Sequence, residues 1–138
     1  MYYSPAEMYD LVNDVGAYAE FLPWCKSSRV IEQSEREMIA SVEMSRGVLN
    51  STFTTKNLLH PDSMIEISLV DGPFRTLRGF WKFNALKSEN ACKISLELEF
   101  EFDSRLMSIA AKPVFTQIAN SLVDSFSKRA VQVYGERG

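Results

Sequence analysis

The feature that most restricts the fold of this chain is an amphipathic helix predicted over residues 106–134. Its apolar residues recur at the three- and four-residue spacing of one helix face, and polar residues occupy the other side. Asp103 or Ser104 is placed to cap its start and Gly135 to end it, while Pro113 predicts a kink or a short separate helix in the front third. At 1.5 Å per residue such a helix is about 43 Å long, so it needs a wide apolar partner surface.

The middle of the chain predicts that this partner is an antiparallel sheet. Between residues 28 and 102 apolar and polar side chains alternate with the period of two that is typical of strands. Turn-forming groups such as Arg46-Gly47 and Asp71-Gly72-Pro73 separate the alternating segments. Five or six consecutive strands joined by such short turns pair antiparallel.

The last two predicted strands can be tested against each other. If their hairpin turns about Ser88-Glu89, Trp81 lies opposite Leu96 and Arg78 lies opposite Glu99. The apolar pair then lies on one face of the hairpin, and the opposite-charge pair lies on the other. A shift of the pairing register by one residue would bury a row of glutamates. The row at residues 97, 99 and 101 is therefore interpreted as a solvated sheet face.

Two short helical segments precede the strands. Ser4-Pro5-Ala6-Glu7 is a capping box with proline at the first helical position, and this helix is predicted to end near Gly16. An aromatic connector follows at residues 18–24, which either plugs one end of the core or forms the mouth of an apolar cavity. The order of helices and strands predicts an α+β fold in which a curved antiparallel sheet wraps around the long C-terminal helix.

Composition limits the function classes. The 138 residues suit a single domain spanning 1–138, and 46% of them are hydrophobic, which is enough for a substantial core. A net charge of −3 gives no support for DNA binding. Cys25 and Cys92 lie far apart and are expected to be free thiols. No apolar run is long enough for an integral membrane segment, so a cytoplasmic protein is expected, with transient contact at a membrane surface as an alternative.

Residues suited to catalysis or to metal binding are few. The only histidine, His60, precedes a proline in a predicted turn, and no serine or cysteine has a second histidine to activate it. One histidine cannot build the usual zinc site. We therefore predict no catalytic residues, no metal and no covalent cofactor.

Several blocks of residues resemble one known family. They are Leu11–Val15, Phe21–Cys25, Leu69–Phe74, Trp81–Phe83 and Glu99–Phe102. Together they are similar to the START-like family that includes coenzyme Q-binding proteins and the ribosome association toxin RatA. The resemblance covers nearly the whole chain and implies the helix-grip fold, with a hydrophobic tunnel between the sheet and the C-terminal helix.

The resemblance implies ubiquinone or a similar prenylquinone or lipid as the ligand of this tunnel. A prenyl or acyl chain needs only an apolar wall, and several aromatic rings could flank a quinone. Asn13, Thr55 or Arg75 could donate a hydrogen bond to the quinone head. The predicted ligand-binding residues are Phe21, Leu22, Trp24, Phe53, Leu69, Phe74, Leu77, Trp81, Phe83, Phe115, Ile118, Leu122 and Phe126.

Two other functions stay open. RatA-like proteins are described as binding the large ribosomal subunit and blocking subunit association, for which the nearest physical support is a modest basic group. Its members share a predicted outer face, where they could instead pair with the glutamate row; they are Lys56, Arg75, Arg78 and Lys82. A polyketide cyclase or aromatase of the same superfamily is the other alternative, but it would need several polar groups in the tunnel.

One departure from the family pattern concerns the start of the chain. Family members usually carry a strand before the capping box, whereas here only residues 1–3 precede Ser4. Without that strand a sheet edge would be exposed, which predicts weak self-association into a homodimer.

Overall fold

A computed structural model describes residues 2–87, 90–106 and 108–136 of the chain. Helix α1 and a short 3₁₀ helix lead into a run of strands, and a long helix follows. The elements are α1 (Pro5–Asn13), the 3₁₀ helix (Val15–Glu20), β1 (Cys25–Gln33), β2 (Glu37–Arg46), β3 (Leu49–His60), β4 (Met64–Asp71), β5 (Phe74–Ala85), β6 (Cys92–Phe102) and α2 (Ala111–Tyr134). This order confirms the α+β helix-grip prediction.

All six strands form one antiparallel sheet in the order β1-β2-β3-β4-β5-β6. The predicted register of the last hairpin is confirmed, because Trp81 pairs with Leu96 and Arg78 pairs with Glu99. The turn predicted at Ser88-Glu89 lies outside the described residues. The apolar face of the sheet therefore points at α2, and the charged face points away from it.

On the outward face of the sheet, two members of the glutamate row lie in ion pairs. Arg75 lies 3.8 Å from Glu101, and Lys82 lies 3.6 Å from Glu97. The side chains in these two pairs are 41–67% exposed, so each pair contributes little to stability. Arg75 and Lys82 thus pair with acidic neighbours, as the solvated-face interpretation predicts.

Helix α1 starts at the predicted capping box. The Ser4 hydroxyl accepts a hydrogen bond from the Glu7 amide at 3.1 Å, and the Glu7 carboxylate accepts one from the Ser4 amide at 3.0 Å. Tyr134 near the end of α2 donates to the Glu7 carbonyl at 2.9 Å. These contacts hold α1 against the C-terminal end of α2.

The start predicted for the long helix is wrong, because α2 begins at Ala111 rather than at residue 106. Asp103 and Ser104 do not cap it, since the Asp103 carboxylate instead accepts hydrogen bonds from the backbone and guanidinium of Arg105. Pro113 consequently falls in the first turn, where backbone N–H groups have no intrahelical acceptor, and the predicted interruption is absent. With 24 residues, α2 is about 36 Å long. It ends as predicted at Gly135, whose φ is 81°.

Among the described residues, none of the helices is both long and apolar enough to cross a lipid bilayer.

Candidate functional site: an apolar cavity under α2

A cavity separates the inner face of the sheet from α2. Its volume is about 110 Å³. Its lining is Val15, Tyr18, Trp24, Ala40, Val42, Met44, Phe53, Thr55, Asn57, Ile67, Leu77, Trp81, Leu96, Leu98, Phe115, Ile118, Ala119, Leu122 and Phe126.

Aromatic rings around Phe126 close one end of the cavity. The Phe126 ring lies 5.3 Å from Trp81, 5.4 Å from Tyr18 and 5.3 Å from Phe21, each in an edge-to-face arrangement that aromatic pairs favour. The aromatic connector thus contributes to the packed core and to the cavity wall, and its role as the cavity mouth stays a prediction. Tyr18 and Trp24 line the cavity, whereas Phe21 packs behind them.

A second aromatic cluster, centred on Phe74, lies towards the N-terminal end of α2. Its ring is 5.1 Å from those of Phe102 and Phe115 and 5.9 Å from that of Phe53. Phe74 itself is buried beneath these neighbours and is not part of the lining. The cavity therefore lies between two packed aromatic clusters.

Eight of the predicted ligand-binding residues meet around this cavity. They are Trp24, Phe53, Leu77, Trp81, Phe115, Ile118, Leu122 and Phe126. The structure places the remaining five elsewhere in the core or at its edge; these are Phe21, Leu22, Leu69, Phe74 and Phe83. Phe83, for example, packs edge-on against Tyr9 of α1 at 5.8 Å. A role in ligand binding stays a prediction for both groups.

Sequence reasoning omitted several lining residues, of which Asn57 is the most informative. The residue was detectable, because it follows Phe53 and Thr55 at the period of two and so lies on the same face of β3. It was omitted because apolar character was used as the criterion for an inward position. Of the three donors named from the sequence, only Thr55 lines the cavity, and Asn13 and Arg75 do not.

Gly79 contributes to the cavity because it has no side chain. Gly79 lies in a row across the sheet with Asn57, Ile67 and Leu98, which pair in register on neighbouring strands. A Cβ added to Gly79 would lie 2.8 Å from Leu98 Cδ1 and 3.1 Å from the Glu97 carbonyl oxygen. Any larger residue here would therefore clash with Leu98 and the Glu97 backbone.

Polar groups in the lining are few and uncharged. The Thr55 hydroxyl donates to Asn57 Oδ1 at 3.0 Å, and both residues are 8% exposed. The Tyr18 hydroxyl donates to the Val12 carbonyl, and burial raises the pKa of this phenol. Trp24 Nε1 is buried with no acceptor among the described residues. The cavity wall therefore offers hydrogen-bond donors but no ionised group.

Other reactive residues lie away from this wall. His60 ends β3 on the surface, where its Nε2 is 2.8 Å from a Glu66 carboxylate oxygen. The cysteines Cys25 and Cys92 are buried and unpaired, and burial raises the pKa of each thiol. Within residues 2–87, 90–106 and 108–136 no group of three or more potential ligands could hold a metal ion.

Comparison with known proteins matches residues 1–127 to the family described as polyketide cyclase/dehydrase and lipid transport. The chain belongs to this family. Within it, the chain is 51% identical over 134 residues to the ribosome association toxin RatA of Vibrio cholerae, covering 97% of this chain and 92% of that protein. The START-like resemblance drawn from the sequence is thereby confirmed.

Two other known proteins are similar to the chain at lower sequence identity. The mitochondrial coenzyme Q-binding protein COQ10 homolog B of Xenopus laevis is 28% identical over 138 residues, covering 98% of this chain and 57% of that protein. The crystal structure of the Zhui aromatase/cyclase from Streptomyces sp. R1128 superposes with a TM-score of 0.79 at 14% identity, covering 99% of this chain and 93% of that chain. The latter likeness concerns the fold alone.

Proposed function

We propose that this protein is a non-enzymatic binding protein that holds ubiquinone or a similar prenylquinone or lipid in the cavity under α2. The observation that carries the proposal is an apolar cavity under α2 whose lining has no ionised side chain. Burying apolar ligand surface against such a wall is favourable by roughly 25 cal/mol per Å². The named coenzyme Q-binding relative from Xenopus laevis supports a quinone as the ligand.

The size of the cavity limits how much of the ligand it holds. The cavity volume of about 110 Å³ suits a ring or a few carbons, so a long isoprenoid tail would extend through the mouth. Only the ligand's head and the first part of its tail are then enclosed. A carrier that leaves the tail outside could deliver it to a lipid surface without a membrane-spanning segment.

Mass spectrometry tests this proposal directly. Protein purified from a host that makes ubiquinone is extracted with organic solvent, and the extract is analysed for prenylquinones and lipids. We expect one prenylquinone or lipid species in substoichiometric to equimolar amount. A protein that carries none and binds none on addition would refute the proposal.

The cavity lining also bears on the cyclase alternative. General acid–base catalysis needs a side chain that exchanges a proton near the operating pH. Tyr18 is the ionisable residue in the lining, and burial raises the pKa of its phenol, which keeps it protonated. We therefore favour binding over catalysis, and turnover of an added polyketide would contradict this choice.

A second function is favoured by the RatA relatives. Identity of 51% across 97% of the chain to a protein named a ribosome association toxin supports association with ribosomes, and we propose the large subunit as the partner. Arg75 and Lys82 on the outer sheet face are paired with glutamates, so binding through a net positive surface charge is not implied. Cosedimentation with purified large subunits at physiological salt tests this function, and no comigration would count against it.

Self-association is the remaining partner prediction. Among the described residues β6 lies at an edge of the sheet with no strand on its outer side. Such an edge leaves backbone donors and acceptors available for pairing. We propose a weak homodimer through this edge, and a strictly monomeric sedimentation profile at high protein concentration would refute it.

A further inference from the structure

The wall of the cavity contains one polar pair among apolar side chains. Thr55 and Asn57 are two residues apart on β3, so both point to the same face of the sheet and line the cavity. Each is 8% exposed, and the Thr55 hydroxyl donates to Asn57 Oδ1 at 3.0 Å. An asparagine buried this deeply in an apolar wall is costly unless its hydrogen-bonding groups are satisfied.

The bond from Thr55 sets the orientation of the Asn57 amide. Because the carbonyl oxygen receives this bond, the amide nitrogen with its two N–H groups is the part left for other contacts. The residues paired beside Asn57 are Met38 on β2 and Ile67 on β4, which offer no side-chain oxygen. Gly79, two strands away in the same row, adds no side chain that could fill the space or accept a bond.

We propose that Asn57 is the polar anchor of the cavity and donates a hydrogen bond from Nδ2 to a carbonyl oxygen of the ligand, with Thr55 as the residue that orients the amide. This inference rests on the proposed binding function and specifies its ligand class. The ligand is neutral, because the lining has no charged partner for a carboxylate or an amine. It carries an acceptor oxygen, as quinones, ketones and esters do, on an otherwise apolar body.

Paired probes separate the anchor from general apolar binding. A prenylquinone with two isoprene units and a benzene ring carrying the same two-unit tail are titrated into the wild-type protein by calorimetry. A single hydrogen bond to a buried amide corresponds to about tenfold in Kd, so the quinone is expected to bind about tenfold more tightly. Asn57→Leu, which has similar volume and no donor, is expected to remove this preference while the hydrocarbon keeps its affinity.

Asn84→Leu is the matched control, because Asn84 is exposed near the end of β5 and is not in the cavity lining. It should leave both affinities unchanged. If Asn57→Leu keeps the wild-type preference for the quinone, the anchor is wrong although the proposed binding function stands. If the wild-type protein binds neither probe, the proposed function fails, and the inference fails with it.

An infrared measurement on the unmodified protein keeps the test independent of how the variant folds. The carbonyl groups of the bound quinone are labelled with ¹³C, and their stretching frequency is compared with that in a hydrocarbon solvent. A hydrogen-bonded carbonyl absorbs at lower frequency, so at least one carbonyl band should shift down. Bands that coincide with those in the hydrocarbon would overturn the proposal.

Discussion

Filling the cavity from α2 is the sharpest test of whether the space exists. Ala119 is half-buried on the face of α2 that lines the cavity. Ala119→Leu adds three carbons, which contribute about 2.4 kcal/mol at roughly 0.8 kcal/mol each if they are fully buried. Ordering the longer side chain costs about 0.5–1 kcal/mol. We therefore expect the free energy of unfolding to rise by about 1–2 kcal/mol, and ligand affinity to fall because the space is occupied.

Ala130 provides the matched control on the same helix. It is 0% exposed and is not part of the lining, so a leucine there has no space to enter. Overpacking of this kind lowers the free energy of unfolding by about 1–3 kcal/mol. The two variants make the same chemical change in one helix. Opposite signs of their changes in the free energy of unfolding would therefore reflect only the space around each residue.

Urea unfolding of the wild type and both variants, followed by circular dichroism, measures these differences. The urea concentrations at the unfolding midpoint are compared among proteins with the same m value, so that a change in midpoint reports a change in stability. If Ala119→Leu lowers the free energy of unfolding as much as Ala130→Leu does, α2 is already packed against the sheet at residue 119. The reasoning from a cavity would then be refuted.

Three further perturbations test other parts of the fold. Gly72→Ala should lower the free energy of unfolding by about 1–3 kcal/mol, since Gly72 has a φ of 151° and an added Cβ would lie 2.7 Å from Phe53 Cβ. Gly16→Ala, where the added Cβ meets no atom within 4 Å, should change it by less than about 0.5 kcal/mol in the same urea titration, and equal losses would contradict the clash. Hydrogen bonds from Arg105 lower the pKa of Asp103 from its ordinary 3.8 to about 2. These bonds therefore stabilise the folded protein fully at pH values above 3.8, and this stabilisation is lost as the pH falls through about 2. Arg105→Ala should raise this carboxyl pKa in an NMR titration, and an unchanged titration would show that another group lowers it. Both thiols have pKa values raised by burial, so a disulfide reagent at pH 8 should modify them far more slowly in the folded protein than in urea, whereas similar rates would place them at the surface.

Most of the sheet was predictable because its signal is local. Trp81 and Leu96 face each other as predicted because a slip of one residue would expose one apolar row and bury the glutamates opposite Arg78. The start of α2 was not predictable in the same way. Leu106 and Ile109 continue the helical spacing, yet they are 64% and 88% exposed and lie before the helix. Asp103 bonds to Arg105 instead of capping the helix, and a spacing pattern cannot show which partner a carboxylate takes.

The cavity itself illustrates a limit of sequence patterns. Alternation identifies the face to which a side chain points but not whether that face is filled. Ile67, Leu96 and Leu98 all point at α2, yet they are only half-buried, whereas Ile65 and Trp81 on the same face are 2% and 4% exposed. Gly79 contributes to this difference, because it removes a side chain from the row that holds Asn57 and Ile67. Asn57 lies in that row with its carbonyl oxygen bonded to Thr55, and under the proposed binding function the space beside it is where a ligand would lie.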